Sequence, residues 1–415
     1  MLNHLFRNKR HEIFQQKQPS EAVILVDQNA ILREISSFQS STMKEKVMAE
    51  GIPFLPEEII RDILIRLPTK SLIRFRCVCK RWRNLFKTPS FVQEHLNHTS
   101  QNPSLLLQRN DLWLLDREMR LKKVDNAPLI DSSNTFRVVG SSNGLLLVGI
   151  CNRFPCFLVW NPATREVRPV SSITVQSEDS HRPRSAGFGF SPILNDYKIV
   201  VPYDSSYPFD VLVVVVYSLR SGSWKKAEYG IKNVSFSSES ITVNGSMFWS
   251  GLAWKQDTDT YDVVVLSFDL ANEVFTFIPT PDWNTSSISF AAYENKLAVL
   301  SSPALQDVGE LWVMEDGTGL SWAKKYSYYL LPRLVRPVTI WRNQMVCADI
   351  VIREDEHQEW NHEQKISLIN ITTNESKTFD ISKCGNDLNL REFIFNYTES
   401  LVPIGGKKLC ALFVK

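Results

Sequence analysis

Apolar residues follow two different rhythms along this chain. Between residues 53 and 96 they recur every three or four positions; beyond residue 103 they come in short unbroken runs divided by Asn, Asp, Gly, Ser and Pro. The first rhythm predicts helices with one apolar stripe, the second predicts strands and turns. Ile59, Ile60, Ile63, Leu64 and Leu67 form the first stripe. Pro56 suits a first helical position, where its missing N–H costs nothing. Glu57 and Glu58 fall where the helix dipole favours negative charge. Pro68 ends this helix by restricting the residue before it. Leu72, Phe75, Cys79, Trp82 and Phe86 continue the spacing, so one or two more helices follow. Two such stripes exceed what a unit of about 45 residues can cover by itself. The segment is therefore either a cap packed on the rest of the chain or a module that buries its apolar face against another protein.

The second rhythm repeats. An apolar strand, a polar turn and a strand with an aromatic or β-branched residue recur in five copies, among them Phe157 to Trp160, Val214 to Trp224 and Val264 to Phe275. Leu311 to Trp322 and Ile366 to Phe379 complete the set. Their turns start near residues 161, 218, 269, 315 and 370, so the copies lie 57, 51, 46 and 55 residues apart. That is the size of one four-stranded propeller blade with variable loops. Between copies stand hairpins with a Gly or Asn turn, as in Val243 to Trp249 and Tyr293 to Val299. Five internal blades and one assembled from strands near 104–115 and 393–413 predict a six-bladed ring, which leaves few raw strand edges. A two-sheet sandwich of similar strands is the alternative.

Leu55-Pro56-Glu57-Glu58-Ile59, Ile63, Leu67-Pro68, Leu72, Arg74, Val78-Cys79 and Trp82 stand in an order that resembles an F-box. That motif docks substrate receptors on the Skp-family adaptor of cullin–RING ubiquitin ligases. The resemblance implies that Leu55, Pro56, Ile59, Ile63, Leu67, Pro68, Leu72, Val78 and Trp82 face the adaptor or hold three helices together. Ser142-Asn-Gly-Leu-Leu, Trp160-Asn-Pro-Ala-Thr-Arg165 and Gly187 to Ile199 are similar to the F-box-associated domain of plant F-box/kelch-like proteins, as is Leu311-Trp-Val-Met. The Gly-Gly pair usual in kelch blades is missing from these copies. The expected architecture is α+β and multidomain: residues 1–47 a poorly ordered extension, 48–97 a small three-helix F-box, and 103–415 an all-β propeller of six blades.

Composition narrows the partners. The apolar fraction is 43% and the aromatic fraction 11%, which marks a globular chain. A net charge of +2 argues against nucleic acid or an anionic membrane as an overall electrostatic partner. Lys70, Arg74, Arg76, Lys80, Arg81, Arg83 and Lys87 form a local basic run, read as solvated helix faces beside an acidic partner. The seven cysteines follow no disulfide or zinc framework and are read as reduced, mostly buried thiols in the cytoplasm, the nucleus or both. Val211 to Val216 is the longest strongly apolar run and too short to span a bilayer.

No catalytic constellation, cofactor motif or metal motif emerges. His357 and His362 with Glu356, Glu359 and Glu363 match no ligand spacing, and Gly187-x-Gly189 lacks a third glycine and a following helix. The expected function is that of a non-catalytic substrate-recognition subunit of an SCF-type ubiquitin ligase. Its partners are the Skp-family adaptor, through it cullin and a RING protein, and a target protein. The alternative is a scaffold or decoy that binds the adaptor without cullin-dependent ubiquitination. Candidate target contacts, placed on loops, are Tyr203, Tyr207, Trp254, Trp283, Arg333 and Arg336.

Overall fold

A computed structural model describes residues 56–408, apart from 109–110, 117, 125–135, 151–155, 173–181, 184, 205–210, 228–233, 256–259, 282–286, 303–307, 316–320, 330–334, 355–359, 382–393 and 406. Residues 1–55, and with them the expected N-terminal extension and Leu55, lie outside the described residues, as do Tyr207, Trp283 and Arg333.

Four helices open the described chain, one more than the three expected: α1 (Glu57–Ile65), α2 (Thr69–Phe75), α3 (Lys80–Leu85) and α4 (Pro89–Ser100). Proline acts here as a starter as well as a stop. The Pro56 carbonyl accepts the first intrahelical bond of α1 from Ile60, 3.1 Å. Pro68 ends α1, and its carbonyl accepts from Ser71 and Leu72 to open α2. Cys79 opens α3, its Sγ accepting from the Trp82 amide at 3.4 Å. Thr88 and Pro89 open α4 in the usual N-cap and first-position order. No helix of the described residues is long and apolar enough to cross a membrane.

The rest is a six-bladed propeller. Blade 1 pairs β25 (Ile394–Tyr397) with β1 (Ser104–Gln108), β2 (Leu112–Leu115) and β3 (Leu121–Lys123). Blade 2 holds β4 (Phe136–Ser142), β5 (Leu145–Ile150), β6 (Cys156–Asn161) and β7 (Glu166–Pro169), with β26 (Lys407–Lys408) added at the outer edge. Blade 3 holds β9 (Gly187–Ser191), β10 (Asp196–Asp204), β11 (Val211–Ser218) and β12 (Ser223–Ala227), while β8 (Arg182–Pro183) also pairs with β10. Blade 4 holds β13 (Val234–Val243), β14 (Ser246–Lys255), β15 (Thr260–Asp269) and β16 (Phe275–Ile278). Blade 5 holds β17 (Ser287–Tyr293), β18 (Lys296–Ser302), β19 (Val308–Glu315) and β20 (Ser321–Tyr329). Blade 6 holds β21 (Val335–Trp341), β22 (Gln344–Glu354), β23 (Trp360–Asn370) and β24 (Ser376–Asp380). The ring closes through β25, which completes the blade begun by β1, whereas the later terminal strand β26 pairs with β7 of blade 2 and Leu401-Val402 form no strand.

Each strand in the middle of a blade is covered on both faces by neighbouring blades. That is why Leu145 to Val148 and Val214 to Val216 read as unbroken apolar runs: all seven side chains are buried. The core is split into one apolar layer per seam. Trp160 and Tyr397 fill the seam between blades 1 and 2, Trp249 and Phe268 that between 3 and 4, and Trp341 and Leu105 that between 6 and 1.

The two rims differ. One rim carries the turns between first and second and between third and fourth strands. Asn143-Gly144, Asn244-Gly245, Glu294-Asn295 and Arg342-Asn343 are two-residue turns with both residues at positive φ, the geometry that matches hairpin twist. Between third and fourth strands a side-chain turn recurs. The Oδ1 atoms of Asn161, Asp269 and Asn370 each accept from two following backbone amides. In each case the residue four positions on has positive φ and donates its amide back to the first residue's carbonyl. The opposite rim carries the second-to-third and blade-to-blade connectors.

Candidate functional site

The helices leave part of their apolar stripe uncovered. Ile59 and Ile63, one turn apart on α1, are 45% and 43% exposed, whereas Leu64 on the same helix is 2% exposed. Pro56 and Pro68 are exposed as well, and Leu67, Val78 and Trp82 are half-buried. Leu72 is fully buried and belongs to the internal packing of the helices, with Phe75, Phe86 and Phe91. The structure thus divides the candidates into two roles. Ile59, Ile63, Pro56 and Pro68 offer surface, Leu72 holds the helices together, and Trp82 does some of each. The Trp82 ring lies 5.7 Å from Phe75 and 6.4 Å from Phe86, centroid to centroid, so one side is committed to the interior.

Charge surrounds this stripe asymmetrically. Glu57, Glu58 and Asp62 are exposed on α1, while Lys70, Arg74, Lys80, Arg81, Arg83 and Lys87 are exposed on the following elements. Arg76 is the one member of the basic run that is half-buried, and its carbonyl accepts from Arg83 Nε at 3.1 Å. Thiols are more accessible than expected. Cys77, Cys79 and Cys156 are exposed and only Cys347 is buried; Cys151, Cys384 and Cys410 lie outside the described residues. The physical reason is position: Cys79 caps α3 and Cys77 lies in the turn before it, so neither is on a packed face.

His95 is fully buried on α4. Its Nε2 donates to the Leu67 carbonyl at 3.0 Å, which leaves Nδ1 as the bare nitrogen of a neutral ring. Burial holds its pKa below the ordinary 6.5, and the bond to Leu67 offsets only part of that. The folded pKa is thus below the unfolded one, so this contribution to stability is complete above about pH 6.5 and is lost as pH falls below it. Melting at pH 7.5 and 5.5 should show a drop for the native chain that shrinks in His95→Gln, which keeps a donor but does not titrate.

On the propeller, the loop placement of the target candidates needs correction. Tyr203 is buried, on β10 in the seam between blades 2 and 3. Trp254 and Arg336 are on strands, β14 and β21; Trp254 is half-buried and Arg336 exposed. Pro202 precedes Tyr203 on the same strand. It sits in β10 between the residues paired with β9 and those paired with β8, where its missing N–H leaves no ladder bond unmade on that side. No group of metal-binding side chains occurs among the described residues.

Helices with a partly uncovered apolar stripe are followed in the chain by a six-bladed propeller. Residues 52–94 match the F-box domain and residues 113–400 match the F-box associated beta propeller domain. The chain belongs to the family of proteins with an F-box associated β-propeller. A probable F-box protein of Arabidopsis thaliana is 26% identical over 387 residues, 85% of this chain and 88% of its own. A putative F-box protein of the same plant is 28% identical over 306 residues, covering 66% and 72%. An F-box/kelch-repeat protein, also from Arabidopsis thaliana, is 26% identical over 311 residues, covering 69% and 82%. This architecture fits an F-box substrate receptor.

Proposed function

We propose that this protein is the substrate-recognition subunit of an SCF-type ubiquitin ligase, acting in the cytoplasm or nucleus. The helices hold the Skp-family adaptor and, through it, cullin and the RING protein; the propeller holds a target. The chain itself forms and breaks no bond. It supplies proximity, which raises the local concentration of target beside the ubiquitin-loaded enzyme. The observation that carries this reading is the pair Ile59 and Ile63. Two β-branched apolar side chains, each nearly half in water on a short helix, gain about 1 kcal/mol each when a partner covers them.

The test is reconstitution. The full chain is mixed with purified adaptor, cullin and RING protein, and the complex is separated by size. Co-migration of all four, with ubiquitin chains formed on demand by the loaded enzyme, is the expected result. Adaptor without cullin would identify a scaffold or decoy, and no adaptor at all would end the proposal.

A further inference from the structure

The helices and the propeller hold their cations differently. Exposed lysines on the blades stand beside carboxylates: Lys122 pairs with Asp116, Lys225 with Glu273, Lys255 with Asp262 and Lys325 with Glu315. Between Lys70 and Lys87 the chain holds no acid at all. Arg74, Lys80, Arg83 and Lys87 are exposed in that stretch, and none of the four stands in an ion pair among the described residues. Lys70 is set apart from them, its charge felt by the Glu399 carboxyl.

Their placement works against the helices that carry them. Lys80 and Arg81 occupy the first turn of α3, where the helix dipole disfavours positive charge. Neither α2 nor α3 has an acidic residue in its first turn. Lys80 and Arg83 are three positions apart, Arg83 and Lys87 four. The Lys87 amide donates to the Asn84 carbonyl at 3.0 Å, so the helical turn runs on through Lys87. Like charges at that spacing repel. Arg83 Nε donates to the Arg76 carbonyl at 3.1 Å, which brings this row against the end of α2, where Arg74 is exposed. Nothing among the described residues relieves the repulsion along this ridge. An acidic surface laid against it would.

We propose that the ridge formed by Arg74, Lys80, Arg83 and Lys87 engages an acidic surface of the Skp-family adaptor and sets the rate at which the two proteins associate. Exposed charges beside an interface steer encounter and change the association rate more than the dissociation rate. Two observations select an acidic protein over the phosphates of a nucleic acid. Val78 and Trp82, half-buried candidates for docking, lie inside the same stretch, so the ridge is continuous with that surface. No aromatic ring there is free for base stacking: Phe75 and Phe86 are buried, and Trp82 lies against both. The identity of the partner rests on the proposed function; the sign of its charge rests on the ridge alone.

The readout is the association rate of the full chain with purified adaptor, measured across salt. It should fall roughly tenfold or more between about 50 and about 500 mM NaCl, with dissociation changed far less. Arg74→Gln/Lys80→Gln/Lys87→Gln keeps the Arg83 bond to α2. It should associate roughly tenfold more slowly at low salt and lose most of the salt dependence. Lys226→Gln/Lys377→Gln, which removes exposed lysines from the propeller, should associate at the native rate. A native rate indifferent to salt would overturn the proposal even if the triple variant failed to fold, and so would equal slowing by both sets of changes. A DNA duplex of about 20 base pairs, bound by the native chain but not by the triple variant while adaptor kinetics stay alike, would give the ridge to nucleic acid instead. No adaptor binding at any salt concentration would end the receptor reading and the ridge with it, whereas binding without salt dependence would end the ridge alone.

Discussion

Replacing Ile59 and Ile63 together by Asp should abolish adaptor binding, weakening it about a hundredfold or more, while the melting profile of the chain stays within a few degrees of native. Both parts follow from exposure. Side chains that are nearly half in water contribute little to internal packing, so the charge is tolerated in the free protein. In a complex the same positions would be desolvated, and two unpaired carboxylates there would each cost several kcal/mol or hold the surfaces apart. Leu72→Ala is the contrasting change. It removes a fully buried side chain, at about 2–5 kcal/mol, and should weaken binding only through loss of folded helices. Titration calorimetry with purified adaptor, beside thermal melts, reads both effects. Full affinity in Ile59→Asp/Ile63→Asp would place the docking surface elsewhere.

Asn161→Ala should destabilise the propeller by about 3 kcal/mol, and Asn370→Ala by only about 1 kcal/mol, although both remove the same turn. Each Oδ1 accepts two backbone amides. Asn161 alone does more. Its Nδ2 donates to the carbonyls of Ser400 and Val402, at 3.2 and 2.9 Å, and so ties the segment after β25 to blade 2. Glu166 and Arg168 continue the tie, bonding the amide and carbonyl of Ile404. Truncating Asn161 leaves two carbonyls without a donor in a buried site, which costs more than the bonds themselves. Gly144 lies under the same strap: at φ +79°, a Cβ there would stand 2.3 Å from the Thr398 carbonyl oxygen. Denaturant titrations of the two Asn→Ala variants would settle the comparison; equal losses would mean that the strap contributes nothing.

Much of this architecture is legible in the residues, for identifiable reasons. Turns beginning at 161, 218, 269 and 370 stand out because Asn, Ser and Asp offer their own oxygens to the backbone, and those positions prove to be third-to-fourth-strand turns. The sixth blade could be read because unpaired strand patterns at both ends of the repeat region needed each other. What resisted reading was orientation. Tyr203 was placed on a loop, yet it lies on β10 and is buried in the seam between blades 2 and 3. Ile59 and Leu64 are alike in polarity and share a helix, and residue type alone does not say which one meets water. Trp254 was singled out, but its partner Tyr261 became visible only through cross-strand register. Both lie on one face of the blade 4 hairpin because β14 and β15 pair without a bulge, a property of the ladder and not of either residue.

The closing strand has a consequence for synthesis. β1 leaves the ribosome near the beginning of the ring, but its inner neighbour β25 is translated only after all five other blades. Until then the inner edge of β1 has bare amides and carbonyls, ready to pair with any passing chain. The helices, made earlier, are free to meet their partner throughout this interval. A premature stop codon anywhere between β24 and β25 should therefore yield a product that still docks yet clumps, occupying adaptor without a finished ring to present.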